Sequence, residues 1–110
     1  MKGGMAGLLK QAQKMQKEIE RIQHELADTK IEGSAGGGMV TAVANGQQEL
    51  LEVKIDPEVV DPRDVEMLED LVLAAVNQAL ENAKIKAEEE MARATGGLMP
   101  NMGGLKIPGR

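Results

Sequence analysis

Apolar residues near the start of the chain recur at alternating steps of four and three: Leu8, Ala12, Met15, Ile19, Ile22 and Leu26. That spacing holds one helical stripe toward a neighbour over nearly three heptads, and it predicts a coiled-coil-like helix from Met5 to about Thr29. Gln, Lys, Glu, Ala and Leu dominate the segment and favour a helix. The period then changes. Lys30 to about Ala35 reads as a short first strand, weakened by Gly33, and Met39–Ala44 with Gln47–Ile55 reads as a hairpin about Asn45-Gly46. A two-residue turn would pair positions summing to 91, setting Val40 opposite Leu51 and Gly38 opposite Val53. Leu51, Val53 and Ile55 would then cover one face, and Gly38 would leave room there for a helix to approach.

Asp56-Pro57 ends the third strand, and Val59-Val60 is expected to tuck under the next helix. Asp61-Pro62 reads as that helix's start, with Asp as cap, Pro in the first turn, and Asp64 and Glu66 suited to the positive end. The helix is predicted to run to about Thr95, where Gly96-Gly97 stops it. Its first half carries a broad apolar face from Val65 through Leu71, Ala75 and Ala79 to Ala83. Beyond Ala83 the stripe thins to Ala87, Met91 and Ala94 among charges, so the distal half should protrude beside the first helix. Residues 96–110 read as a flexible tail rich in Gly, Met and Pro, which leaves one domain over 1–95. Two long helices around a three-stranded antiparallel sheet make this an α+β fold.

Composition changes this picture in one respect. Hydrophobic residues make up 42% of the 110, but aromatics are absent and eight residues are Met. Such a core gains less area per residue than one anchored by rings, and Met specifies packing loosely. Two long helices would leave apolar surface uncovered in a single subunit, so a homodimer is expected. Cys is absent, which excludes disulfides, thiolate zinc sites and a thiol nucleophile. The N-terminus lacks the apolar core of a signal peptide, and no window approaches the roughly 18 apolar residues of a membrane span. The chain reads as soluble and cytoplasmic.

Net charge is −5, yet it is unevenly spread: +2 over residues 1–30, −8 over 31–70, −1 over 71–95 and +2 over 96–110. Any attraction to a polyanion must therefore be local.

Catalytic readings find little to stand on. The glycines of Gly33–Gly38 lack the Gly-Lys-Ser/Thr and following helix of a phosphate-binding loop and lead instead into the β-branched run Met39–Val43. His24 is the single His and falls opposite the apolar seam, and Ser34 has no evident base. Asp56/Glu58 and Asp61/Asp64 sit where strand ends and helix caps favour acids, without calcium-loop spacing. Glu69 and Asp70 read as a solvated acidic edge. No enzyme, metal, cofactor or small-molecule substrate is expected.

The constellation that suggests chemistry is Lys10, Lys14, Lys17 and Arg21, on one stripe facing away from the seam. Eleven residues of rise spread these cations along about 16 Å, enough to meet several phosphates. Coiled-coil helices commonly place Lys opposite the seam for solubility alone, so the stripe by itself serves either purpose. With no aromatic ring to stack a base, a backbone-directed duplex mode fits better than single strands.

Taken together, Gly7–Gln16, Gly33–Val40, Val43–Gly46, Val53–Pro57, Met67–Val72 with Ala74–Asn77, and the Gly/Met/Pro tail resemble the YbaB/EbfC family of bacterial nucleoid-associated DNA-binding proteins. The resemblance implies an α-β-β-β-α subunit in a tweezer-like homodimer, with paired strands at the centre and projecting helices. It implies double-stranded DNA as partner, with no catalysis or cofactor, and a role in nucleoid organisation and gene expression; phosphate contacts from the arms would give weak sequence preference. Gripping by the projecting helices carries over onto Lys10, Lys14, Lys17 and Arg21, and onto Lys84, Lys86 and Arg93. The alternative is a protein-interaction adaptor that clasps a partner helix through Met5, Leu9, Met91 and the tail.

Overall fold

Each change of hydrophobic period in the chain becomes a change of element. A computed structural model describes residues 2–95 and runs α1 (Lys2–Ala27), β1 (Lys30–Ala35), β2 (Val40–Asn45), β3 (Leu50–Ile55), a 3-10 turn (Pro57–Val59) and α2 (Val65–Thr95). The sheet is antiparallel throughout, in the order β1-β2-β3. This is the α-β-β-β-α arrangement expected from the sequence. The tail expected over 96–110 lies outside the described residues.

Small residues bring α2 down onto the sheet. Ala75, Ala79 and Ala83, four apart on one helix face, are fully buried against Val40, Ala42 and Ala44 of β2. Gly33 completes the close approach: a Cβ there would overlap the Ala79 backbone nitrogen and stand 2.7 Å from the Ala75 carbonyl oxygen. Leu71, Val72, Val76 and Leu80 flank this ladder, half-buried, with Ile31 and Val59. Val59 tucks under the helix as expected, but Val60 stays exposed.

The room for a helix is therefore at Gly33 and not at Gly38, whose Cβ would meet nothing within 4 Å. Gly36, Gly37 and Gly38 all take positive φ and form the β1–β2 turn, joining strand to strand. The β2–β3 register also differs from expectation. Val40 pairs with Ile55 and Ala42 with Val53, so positions sum to 95, with a bulge between Val43 and Ala44. Asn45-Gly46 is not a two-residue turn. Asn45 opens a turn in which the Gln48 N–H donates to the Asn45 carbonyl at 3.0 Å, and Gln48 takes the positive φ of 63°. Gly46 serves a different purpose, because a Cβ on it would stand 2.6 Å from the Leu26 side chain. The helix cap moves as well. α2 begins at Val65, where Asp64 Oδ1 accepts from the Met67 N–H at 3.2 Å, whereas Asp61 accepts from the Arg63 N–H in a turn before it.

The two sheet edges are unequal. Gln78 Oε1 accepts from the Ser34 N–H at 2.7 Å, and Asn82 Nδ2 donates to the Glu32 carbonyl at 3.0 Å, so α2 satisfies the outward backbone of β1. β3 has no such cover among the described residues. Val53 and Ile55 lie on the face that α2 occupies, yet all six β3 residues are exposed because the helix sits over β1 and β2.

Candidate nucleic-acid interface

Passing Gly36 at Leu71 and Gly33 at Ala79, α2 leaves the sheet at the end where α1 enters it. The helices therefore run side by side in opposite senses, with Ile22 and Leu26 of α1 buried near Lys86, Ala87 and Met91 of α2. Burial falls steadily back along the α1 seam. Ile22 and Leu26 are 4% exposed, Met15 and Ile19 are intermediate, and Leu8 is 66% exposed. From Gly4 to Lys14 every residue of α1 is exposed, so the first half of the helix is an arm standing clear of the subunit.

The arm carries Lys10, Lys14 and Lys17, all exposed, around an open concavity shared with Gly7, Gln11 and Gln13. None of the three lysines forms an ion pair among the described residues. The first acidic residue of the chain is Glu18, so residues 1–17 hold four Lys and no Asp or Glu, and Glu18, one turn beyond Lys14, is taken by Arg21. Residues 18–110 hold nine basic against eighteen acidic residues. A net charge of +2 over residues 1–30 conceals this acid-free opening, because all four acids of that stretch fall after Lys17. From Lys10 to Lys17 is about 10 Å of helix axis, matching about three phosphates of one strand at about 3.4 Å each.

The other cations are differently placed. Arg21 is held between two carboxylates, donating from Nη1 to Glu25 at 2.5 Å and from Nε to Glu18 at 3.3 Å, with Nη2 also on Glu18. Hydrogen bonding to Glu18 and then to Glu25 raises the Arg21 pKa further above its ordinary value, and the Arg21 bond in turn lowers that of Glu18. On distal α2, Glu90 takes both Lys86, at 3.2 Å, and Arg93, at 3.0 Å. The Lys86 hydrogen bond is the main influence holding Glu90 below the usual carboxylate range. Lys84 is exposed and unpaired among the described residues. The seven cations singled out in the sequence thus divide into four without an ion pair among the described residues (Lys10, Lys14, Lys17, Lys84) and three already paired. His24 and Ser34 are exposed and lie apart, and no group of His, Asp and Glu among the described residues is placed to hold a metal.

Residues 1–98 match the model of the YbaB/EbfC DNA-binding family. The chain belongs to that family. It is 58% identical over 102 residues to a nucleoid-associated protein of Caldanaerobacter subterraneus subsp. tengcongensis, covering 87% of this chain and 92% of that protein. A nucleoid-associated protein of Pelotomaculum thermopropionicum is 49% identical over 109 residues, 99% of this chain and 97% of its own. Among solved structures, an uncharacterized protein of Helicobacter pylori shares the fold at a TM-score of 0.64 and 27% identity, over 77% of this chain and 86% of that one. The family match ends three residues past α2, so it spans both helices and the sheet.

Proposed function

We propose that the chain is a nucleoid-associated protein that binds duplex DNA as a homodimer, through phosphate contacts from the α1 arms and with weak sequence preference. The observation that carries this reading is the row Lys10, Lys14 and Lys17, unpaired on a projecting helix in a member of a DNA-binding family. An anionic protein of net charge −5 can still hold a polyanion if its cations are segregated, and here the acids begin where the row stops. Lysines on a helix, without aromatic rings, meet phosphates and read little of the bases. Nothing in the reading requires catalysis.

A second copy as partner is supported by what the fold leaves open. Leu50, Leu51, Val53 and Ile55 are 36–50% exposed on the uncovered edge strand, and Leu73 of α2 is 60% exposed. A contiguous apolar edge of this kind is ordinarily covered in a soluble protein. Two subunits joined there present two arms. Three contacts per arm predict a log–log salt slope of about −5, at about 0.9 per phosphate. A titration of the protein against unrelated duplexes across a salt series tests this, beside a dimer mass by sedimentation. A slope near zero would remove the phosphate mechanism.

The adaptor reading draws on Met5, Leu8 and Leu9, each at least 60% exposed on the same arm. Partner capture that survives high salt and nuclease would favour it over DNA.

A further inference from the structure

The arm is anchored at its root by hydrogen bonds that nothing in the DNA-binding reading uses. Helix α1 ends at Ala27, leaving its last carbonyls without intrahelical partners. The β2–β3 turn brings three donors to this end of the helix. The Gly46 N–H donates to the Leu26 carbonyl at 2.7 Å, Asn45 Nδ2 to the Ala27 carbonyl at 3.2 Å, and Gln47 Nε2 to the Gln23 carbonyl at 3.0 Å. Asn45 is the one buried polar side chain among the described residues, 3% exposed, and all its bonding capacity is used. Its Oδ1 accepts from the Gln47 and Glu49 N–H groups at 2.9 and 3.0 Å, and its Nδ2 also reaches Glu49 Oε1 at 2.7 Å. One amide thus shapes the turn with its oxygen and holds the helix with its nitrogen. Gly46 lets the two backbones close, since a Cβ there would press on Leu26.

We propose that the Asn45–Gly46–Gln47 turn is a clamp that sets the direction of the α1 arm, so that residues far from the lysines control DNA affinity. The proposal rests on the reading of α1 as the DNA-gripping arm. Beyond the clamp, Ile22 and Leu26 are the buried anchors of α1, and every residue from Gly4 to Lys14 is exposed. A tilt of about 20° at Leu26 moves position 16 by about 5 Å, ten residues of about 1.5 Å rise away. With the clamp released, the arms occupy the gripping direction for a fraction of the time, and apparent affinity falls by that fraction. Asn45, Gly46 and Gln47 are positioning residues and touch no phosphate.

The absence of Cys lets Gln16→Cys and Glu69→Cys carry the two spin labels of a distance measurement, in dimers diluted with unlabelled subunits. The unsubstituted turn should give a narrow 16–69 distribution. N45A and G46A should broaden or displace it, and Q47A should do so less. DNA affinity should fall about tenfold for N45A and G46A and about twofold for Q47A, as the gripping fraction falls. The salt slope and the active fraction should stay unchanged, because the same lysines engage once the arm is aligned. Loss of active fraction alone would mark ordinary unfolding and overturn the clamp. A 16–69 distribution of native width and position in both N45A and G46A would also overturn it, whatever the DNA result. Reversal of Lys10, Lys14 and Lys17 to Glu is run in parallel. If that leaves binding intact, the arm reading fails, and the clamp is then judged by the distances alone.

Discussion

The two long helices share a length class, a projecting end and a complement of cations, yet they are built for opposite purposes. α2 is seated by alanines at 75, 79 and 83 on a strand whose Gly33 admits its backbone, and its distal cations Lys86 and Arg93 are occupied by Glu90. α1 meets the body through its last two turns and carries Lys10, Lys14 and Lys17 with no carboxylate within 4 Å. Counting Lys and Arg would rate the two projecting ends alike. What separates them is which charge is already spent, and that depends on which carboxylate one helical turn away each cation has taken.

The comparison breaks most severely at Gly33. Gly33→Val should cost about 3 kcal/mol or more, because α2 must lift off the sheet to admit the side chain. Urea unfolding reads this as a lower midpoint, whereas Gly37→Ala, in a turn with open space and a φ of 67°, should cost about 1 kcal/mol. Next in size is the contrast between the arms themselves. K10E/K14E/K17E should weaken duplex binding about a hundredfold or more near 0.1 M salt, with the dimer intact, since six contacts are lost in the pair of arms. K86E/R93E, whose cations are already occupied, should weaken it by less than about threefold. Equal losses in a salt-matched titration would erase the distinction drawn between paired and unpaired cations.

Smaller effects sharpen the same point. Glu18→Gln frees Arg21 from one of its two carboxylates and should strengthen DNA binding about twofold, with a slightly steeper salt slope. Smallest is the pH effect on the helices. Glu18 and Glu90 have folded values below the ordinary 4.5, so their ion pairs contribute fully above that pH and are lost as pH falls through the depressed values. Circular dichroism should therefore show helicity flat from pH 8 to 5 and slightly reduced below 4.5. Both carboxylates keep contact with solvent, Glu18 43% and Glu90 22% exposed, which keeps the change small.

Much of the fold is legible because its signals are local. The step pattern of Leu8 to Leu26, the glycine turn at 36–38 and the stop of β3 at Asp56-Pro57 each depend on neighbours in sequence. The misreadings concern residues whose roles are set across the fold. Asn45-Gly46 carries a two-residue hairpin signal, but Gly46 is needed against Leu26, so the turn lengthens and Gln48 takes the positive φ. Gly33 and Gly38 are alike as letters, and which of them a helix covers is decided by α2, some forty residues away. Asp61 and Asp64 both suit a cap, and Asp64 wins because Pro62-Arg63 is used in a turn begun by Asp61. At the candidate site, the positions of the lysines were legible and their freedom from carboxylates was partly so. The pairing of Arg21, Lys86 and Arg93 depends on rotamers that spacing alone leaves open.

Because Gln78 and Asn82 seal one rim of the sheet, the subunit offers a single rim on which another β-strand could align. In the proposed dimer, growth through that rim would stop after one addition instead of propagating into a ribbon.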